Sequence, residues 1–284
     1  MSSECLPRAA AAAALVTGLL LPAGALSPQT LSHPTADPEP VPHRILAVEA
    51  GAEGGQGAAF PLSGLAGDLL RAPLLGFRYG VGGIVEIQLI GGYQALFIDA
   101  RREAPFDGKV EVDGDVARDF VDPLVATKIR LLEETESRPA VGLRFATRLP
   151  AAGNESGLGN DTMDFLYWLL AGKTWGRTRL LANVGLGVLS LPTTGDVQND
   201  VVLYGAAVER SVGRRWTLFA EASGRTDRRG EAPPGTDDAG QARLGGRWAR
   251  DTIAIAAALA VGLHEPDPDL AATVGVTTLW RLVP

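Results

Sequence analysis

The stretch RRWTLFAEASGRTDRRG, Arg214 to Gly230, decides the fold. Trp216, Leu218, Ala220 and Ala222 are apolar, while Thr217, Glu221, Ser223 and Arg225 between them are polar or charged. Period-two alternation puts these two sets on opposite faces of a β-strand. One face is oily and the other carries a carboxylate and a guanidinium. The pattern recurs. In LVATKIRLLE, Val125, Thr127, Ile129 and Leu131 oppose Lys128 and Arg130; in AVGLRFATRL, Val141, Leu143 and Phe145 oppose Arg144 and Arg148. Leu75, Phe77, Tyr79 and Val81 likewise oppose Arg78, alternate residues from Leu180 to Val188 oppose Arg179 and Asn183, and Leu244 and Trp248 oppose Gln241, Arg243 and Arg247.

A soluble sandwich also alternates, so the connections must discriminate. Strands are predicted at about 45–53, 74–82, 84–97, 123–133, 140–149, 163–173, 178–190, 201–211, 215–225, 240–248, 252–263 and 271–281. Between them, tight links at 82–83, 134–139, 175–176, 213–214 and 249–251 alternate with long polar segments at 98–122, 150–162, 191–200, 226–239 and 264–270. About twelve antiparallel strands, with turns sorted by length to opposite ends, predict an all-β fold: a transmembrane antiparallel β-barrel of the outer-membrane kind. Lipid takes the apolar face and the lumen takes the charges.

Composition agrees. The 284 residues carry a formal net charge of -7, which disfavours nucleic acid as a partner. Gly is abundant at 35 and Met rare at 2, as suits glycine-punctuated strands better than a helical core. Arg8, the apolar run Ala9–Leu21 and Ala23-Gly24-Ala25 read as a signal peptide over residues 1–25, since the run falls short of the roughly twenty residues a spanning helix needs. Residues 26–43 are Pro-rich and unpatterned and read as a flexible periplasmic lead-in; residues 44–284 form the barrel. The single cysteine, Cys5, lies in the signal segment, leaving no thiol for a disulfide or a metal.

RAPLLGFRYGVGGIVEIQLIGGY (Arg71–Tyr93) resembles the amino-terminal hairpin of the outer-membrane barrel family named for the phenol-degradation pathway protein, with Arg78, Tyr79 and Gly80 before a tight turn and Glu86 opening the next strand. The segment Leu143–Gly187 is similar to the central part of that family: a strand ending in Leu-Pro, a Gly-rich loop, Asp164 entering the next strand and the run Ala182–Gly185. The strand bearing Glu221 matches a later family strand with a lumenal glutamate, and the likeness spans about residues 71–281. It implies a transport barrel for hydrophobic or aromatic compounds. The chain departs at its end, where Trp280-Arg281-Leu282-Val283-Pro284 stands in place of the terminal aromatic usual for barrels folded by the assembly machinery.

The candidate lumen lining is Arg78, Glu86, Lys128, Arg130, Arg144, Arg148, Asp164, Arg179, Glu221, Arg225, Arg243 and Arg247, together with Glu209. Guanidinium forks bind carboxylates in bidentate fashion, so these arginines either select anions or pair with wall carboxylates and fill the interior. Glu221 is expected to pair with Arg225 or an arginine on a neighbouring strand. Trp216, Trp248 and Trp280 near strand ends fit an interface girdle. His264 with Asp267 or Asp269 is the only arrangement that hints at a hydrolase. The loop acids Asp161, Asp196, Asp200, Asp237, Asp238, Asp267 and Asp269 lack the spacing of a calcium loop. No catalytic residue, metal site or cofactor is expected. The expected function is a passive channel for uptake or efflux of small-molecule solutes, with outer-membrane lipid, lipopolysaccharide and the barrel assembly machinery as partners. The alternative is a structural or surface-interaction barrel whose lumen is closed by its arginine–carboxylate network.

Overall fold

The computed structural model describes residues 34–193, 197–227 and 232–282. The predicted signal peptide therefore lies outside the described residues, as does Asp196. Twelve strands follow one another: β1 (Ile45–Phe60), β2 (Leu65–Val81), β3 (Val85–Arg101), β4 (Val116–Leu132), β5 (Ala140–Arg148), β6 (Asp164–Trp175), β7 (Thr178–Ser190), β8 (Gln198–Val212), β9 (Trp216–Thr226), β10 (Ala239–Arg250), β11 (Ile253–Gly262) and β12 (Leu270–Arg281). Each pairs antiparallel with its chain neighbours, and β12 pairs with β1 from Ile45↔Arg281 to Gln56↔Leu270, closing the barrel. Closure leaves no strand edge, which is the condition for a sheet in hydrocarbon.

The alternating side chains sort as the sequence requires. On β9 Trp216 and Leu218 are exposed while Phe219 and Glu221 are buried; on β11 Ile253, Ile255, Leu259 and Val261 face out and alanines 254, 256, 258 and 260 face in. The outward set forms an apolar band around the wall. Trp216 sits opposite Trp248 on β10, and Trp280 closes β12 at the same, short-turn end; Trp175 at the end of β6 joins them. Towards the other end, outward edge-to-face pairs Tyr93–Phe120 and Phe145–Tyr167 take over, with ring centroids 5.8 and 5.7 Å apart.

Tight connections at 82–84, 176–177, 213–215 and 251–252 lie at one end with the segment leading into β1. In the first, Gly82 and Gly83 both take positive φ (62° and 76°), which only glycine adopts without strain. The opposite end carries the connections that follow β3, β5, β7, β9 and β11.

Three expectations are corrected. Residues 54–73, outside any predicted strand, belong to β1 and β2, joined by the four-residue link 61–64. They escaped the period-two reading because their outer side rises beyond the apolar band: Asp68 on β2 and Arg118 on β4 both face out there. The β1–β2 ladder also shifts register between Gly51 and Glu53 and between Gly55 and Ala58, which breaks the alternation. Second, the long loop 98–122 shrinks to 102–115. It lies over the mouth: Phe106 is buried with its N–H on Leu62 O (2.8 Å), and Val110 and Val112 pack on a cluster of Ala58, Leu65, Leu69, Leu96, Ala117 and Leu158. Third, the described part of the lead-in, residues 34–43, is not a loose periplasmic tail. It is held inside the barrel.

Candidate functional site: a plugged, charge-lined lumen

The lumen is built from inward positions of the strands, and its lower half is occupied by residues 34–43. Thr35 N–H donates to Glu221 Oε2 on β9 (3.0 Å). The Asn183 carboxamide on β7, in the orientation that satisfies both its atoms, accepts from Ala36 N (2.6 Å) and donates to Ala36 O (3.0 Å). Asp37 receives a two-point grip from Arg179 (Nε–Oδ2 2.9 Å, Nη2–Oδ1 2.8 Å). Pro38 lies against Gly142 and Gly172. Glu39 binds Arg130 through its carboxylate (2.6 Å) and Lys128 Nζ through its main-chain carbonyl (2.9 Å). Val41 N–H donates to Glu86 Oε2 (2.6 Å), and His43 accepts Gly82 N–H (3.0 Å). At the point of entry the chain crosses Gly80 so closely that a Cβ there would lie 2.1 Å from Val41 O, which makes glycine obligatory.

Beneath this segment the wall charges are interlocked. Lys128 and Glu86 pair at 3.3 Å, both buried, with Gln88 donating to Glu86 (2.6 Å) and Arg144 donating to Gln88 (2.9 Å). Arg144 also stacks on Trp168, 4.8 Å from its centroid. Arg78 is buried beside this cluster, and Arg247 faces Glu209 at 3.9 Å. At the foot of the barrel Glu134, in the β4–β5 turn, holds Arg179 (2.8 Å) and accepts from Thr174 N (2.6 Å). Burial pushes the Glu134 carboxyl up, but its bonds from Thr174, Arg179 and Lys173 outweigh that and hold it below the usual glutamate range.

A second charged belt lies nearer the long loops. Glu53 is shared between Arg71 (2.9 Å) and Arg243 (3.2 Å) and takes the Thr273 hydroxyl (3.1 Å); Arg148 pairs with Asp164, which also accepts Ser190 N–H (2.9 Å). Arg225 does not pair with Glu221: its Nε donates to Asp237 O (2.9 Å) and its Nη2 to Gly235 O (3.4 Å). Between this belt and the loops lies a chamber of about 260 Å³. Apolar side chains interrupt the charges, with Leu189, Val201 and Leu203 packed against Leu166 and Trp168 on the inner wall.

All twelve lumen candidates named from the sequence thus fall on the inner wall, divided between two belts. Sequence reasoning missed Thr35, Asp37, Glu39, Glu53, Arg71, Gln88 and Glu134. A signal existed, because the inward cations named from the sequence outnumber the inward carboxylates; the remaining acids had to come from elsewhere. The loop acids act locally: Asp238 accepts Asp227 N–H, Asp237 accepts Gly235 N–H and Asp267 accepts Gly240 N–H. His264 and Asp267 share a main-chain bond, Asp267 N to His264 O at 3.1 Å, as neighbours in a tight turn. Among the described residues no group of His, Cys, Asp and Glu is placed to hold a metal ion.

No protein-family model matches the chain, and no curated protein matches it. Among solved structures it is similar to the COG4313 outer membrane channel from Pseudomonas putida F1, with TM-score 0.61 and 11% identity over 86% of this chain and 98% of that one. It is also similar to the NanC porin (TM-score 0.50, 8% identity, 84% and 100% covered) and to the translocator domain of the autotransporter NalP from Neisseria meningitidis (0.49, 14%, 84% and 90%). At such identities the likeness is one of fold: this chain has the closed twelve-stranded antiparallel barrel of outer-membrane proteins.

Proposed function

We propose that the chain is an outer-membrane channel barrel for small molecules, exported through a signal peptide over residues 1–25, whose through-path is held shut by residues 34–43. The observation that carries this reading is how that segment is held. It is gripped by side chains of β3, β4, β7 and β9, and only His43 touches the sheet as a bridge, to Gly80. It can therefore leave without breaking a strand ladder. A barrel built only to be filled has no need of a removable filling. The apolar inner patch around Trp168 supports a cargo with hydrophobic or aromatic character. The outer apolar band and the Trp216, Trp248 and Trp280 end fit lipid and lipopolysaccharide as surroundings, and insertion through the barrel assembly machinery.

The second reading, a structural or surface barrel closed by its charge network, is favoured by the density of ion pairs in the lower belt. Planar-bilayer recording on the full chain and on a chain lacking 34–43 separates the two. The channel reading expects small, infrequent openings in the former and steady, larger steps in the latter. Two correctly folded but silent barrels would leave only the structural reading.

A further inference from the structure

We propose that the chamber under the long loops is a binding site for a small organic carboxylate, gripped by Arg71, Arg148 and Arg225. These arginines sit on β2, β5 and β9, no two of which are neighbours in the barrel, yet all three line one cavity of about 260 Å³. Like charges this close repel, and the wall offsets only part of that: Arg71 and Arg148 each have a carboxylate partner, whereas Arg225 has none among the described residues. The acids nearby are largely committed. Glu53 serves both Arg71 and Arg243, Asp164 serves Arg148, and Asp122, which also lines the cavity, accepts Ala151 N–H and Ala152 N–H at 2.9 Å each. Arg225 makes no ion pair among the described residues and spends its donors on two main-chain carbonyls.

The donors are also incompletely used. Each guanidinium carries five N–H donors; among the described residues Arg71 and Arg148 spend one each on a carboxylate and Arg225 spends two on main-chain carbonyls. A carboxylate offers two oxygens with about four acceptor sites to the donors left over. The remaining lining sets the ligand's body: Phe60, Leu62 and Leu158 give the cavity an apolar side next to the guanidinium groups. A bare inorganic anion would leave that side unused, whereas a compact carboxylic acid with an apolar body matches both. The size falls just below the usual range of pockets for drug-sized ligands, which fits a single-ring or short-chain acid. The inference rests on the channel reading for the ligand's purpose, since the chamber lies on the long-loop side of the lumen.

Isothermal titration calorimetry on the refolded full chain in detergent micelles tests it, using benzoate, its neutral isostere benzamide and inorganic phosphate. Benzoate is expected to bind, with benzamide and phosphate weaker by roughly tenfold or more. Arg225→Gln orphans no carboxylate, so the barrel should stay heat-modifiable while benzoate affinity falls roughly tenfold. Arg225→Lys, which keeps the charge but loses the fork, should fall part of the way and serves if the glutamine variant fails to fold. Arg250→Gln, at the exposed β10–β11 turn, should bind as the parent does. Equal binding of benzoate and benzamide, phosphate binding as tight as benzoate, an unchanged Arg225→Gln, or no heat at all would each overturn the proposal. Binding of benzoate by a barrel that conducts nothing would keep the site and discard the channel; conductance without benzoate binding would do the reverse.

Discussion

The Lys128–Glu86 pair shows how charge is made tolerable inside this wall. Both side chains are almost fully buried, and Glu86 also receives the Val41 N–H and the Gln88 amide. Removing one partner of such a pair leaves a buried uncompensated charge. Glu86→Ala is therefore expected to destabilise the barrel by about 3–5 kcal/mol, and Glu86→Ala with Lys128→Met to recover most of it, read from urea unfolding of the two variants. If the double variant is no more stable than the single one, the ammonium is not what makes the loss costly. Glu134 offers a pH readout at the same scale. Its folded carboxyl titrates below the ordinary value, so its contribution is present above that value and is lost as pH falls through the folded one. Its side-chain carbon resonance should keep the ionised shift down through the ordinary glutamate range, about 4.3, and move only below it. A midpoint at or above that range would mean the bonds from Thr174 and Arg179 do not persist in solution.

Strands differ in how much of them a sequence displays. β7, predicted at 178–190, runs Thr178–Ser190, because apolar Leu180, Ala182, Val184, Leu186 and Val188 face outward along its length while Arg179 and Asn183 face the lumen. β2 showed only its lower half. Above Pro73 the outer face mixes Asp68 with Leu70 and the inner face turns apolar with Leu65 and Leu69. The alternation that marks a strand in a membrane reports the solvent on each side, and where both sides change, the mark disappears. Placement within the band is testable. Leu244, well exposed in the middle of β10, should not tolerate charge: Leu244→Arg is expected to cost about 2–4 kcal/mol, measured by unfolding from lipid vesicles, although Arg243 next to it is native. A neutral outcome would put this face in water. Spin labels at Asp68 and Leu75 on β2 should report water and lipid respectively by paramagnetic accessibility; the same environment at both would remove the boundary placed between them.

At the level of the whole molecule, the ring of strands was legible and its contents were not. Closure follows from strand number and loop sorting, both of which are local patterns summed along the chain. The plug follows from neither. PTADPEPVPH has no periodicity, and the roles of Asp37 and Glu39 exist only because Arg179 and Arg130 are brought to the same space by folding. The charge balance of the wall was the one clue, since arginines at that density in a narrow lumen call for acids from somewhere. Gly80→Val tests the geometry as a whole: with no room beside Val41 O, the segment should be displaced and conductance should rise while the barrel still migrates as a folded species. Unchanged conductance would show that the segment can enter by another route.

The tether also fixes an order of events in time. Its anchors, Glu86, Lys128, Arg179 and Glu221, lie on β3, β4, β7 and β9, so they face one another only once the sheet from β3 to β9 has curled round the lumen. The first described residues of the chain are thus expected to be among the last to find their places. Interactions formed that late are absent from the rate-limiting step of assembly, so they act on how slowly the barrel comes apart and hardly on how fast it forms. A barrel without residues 34–43 should assemble at the parent's pace and come apart sooner.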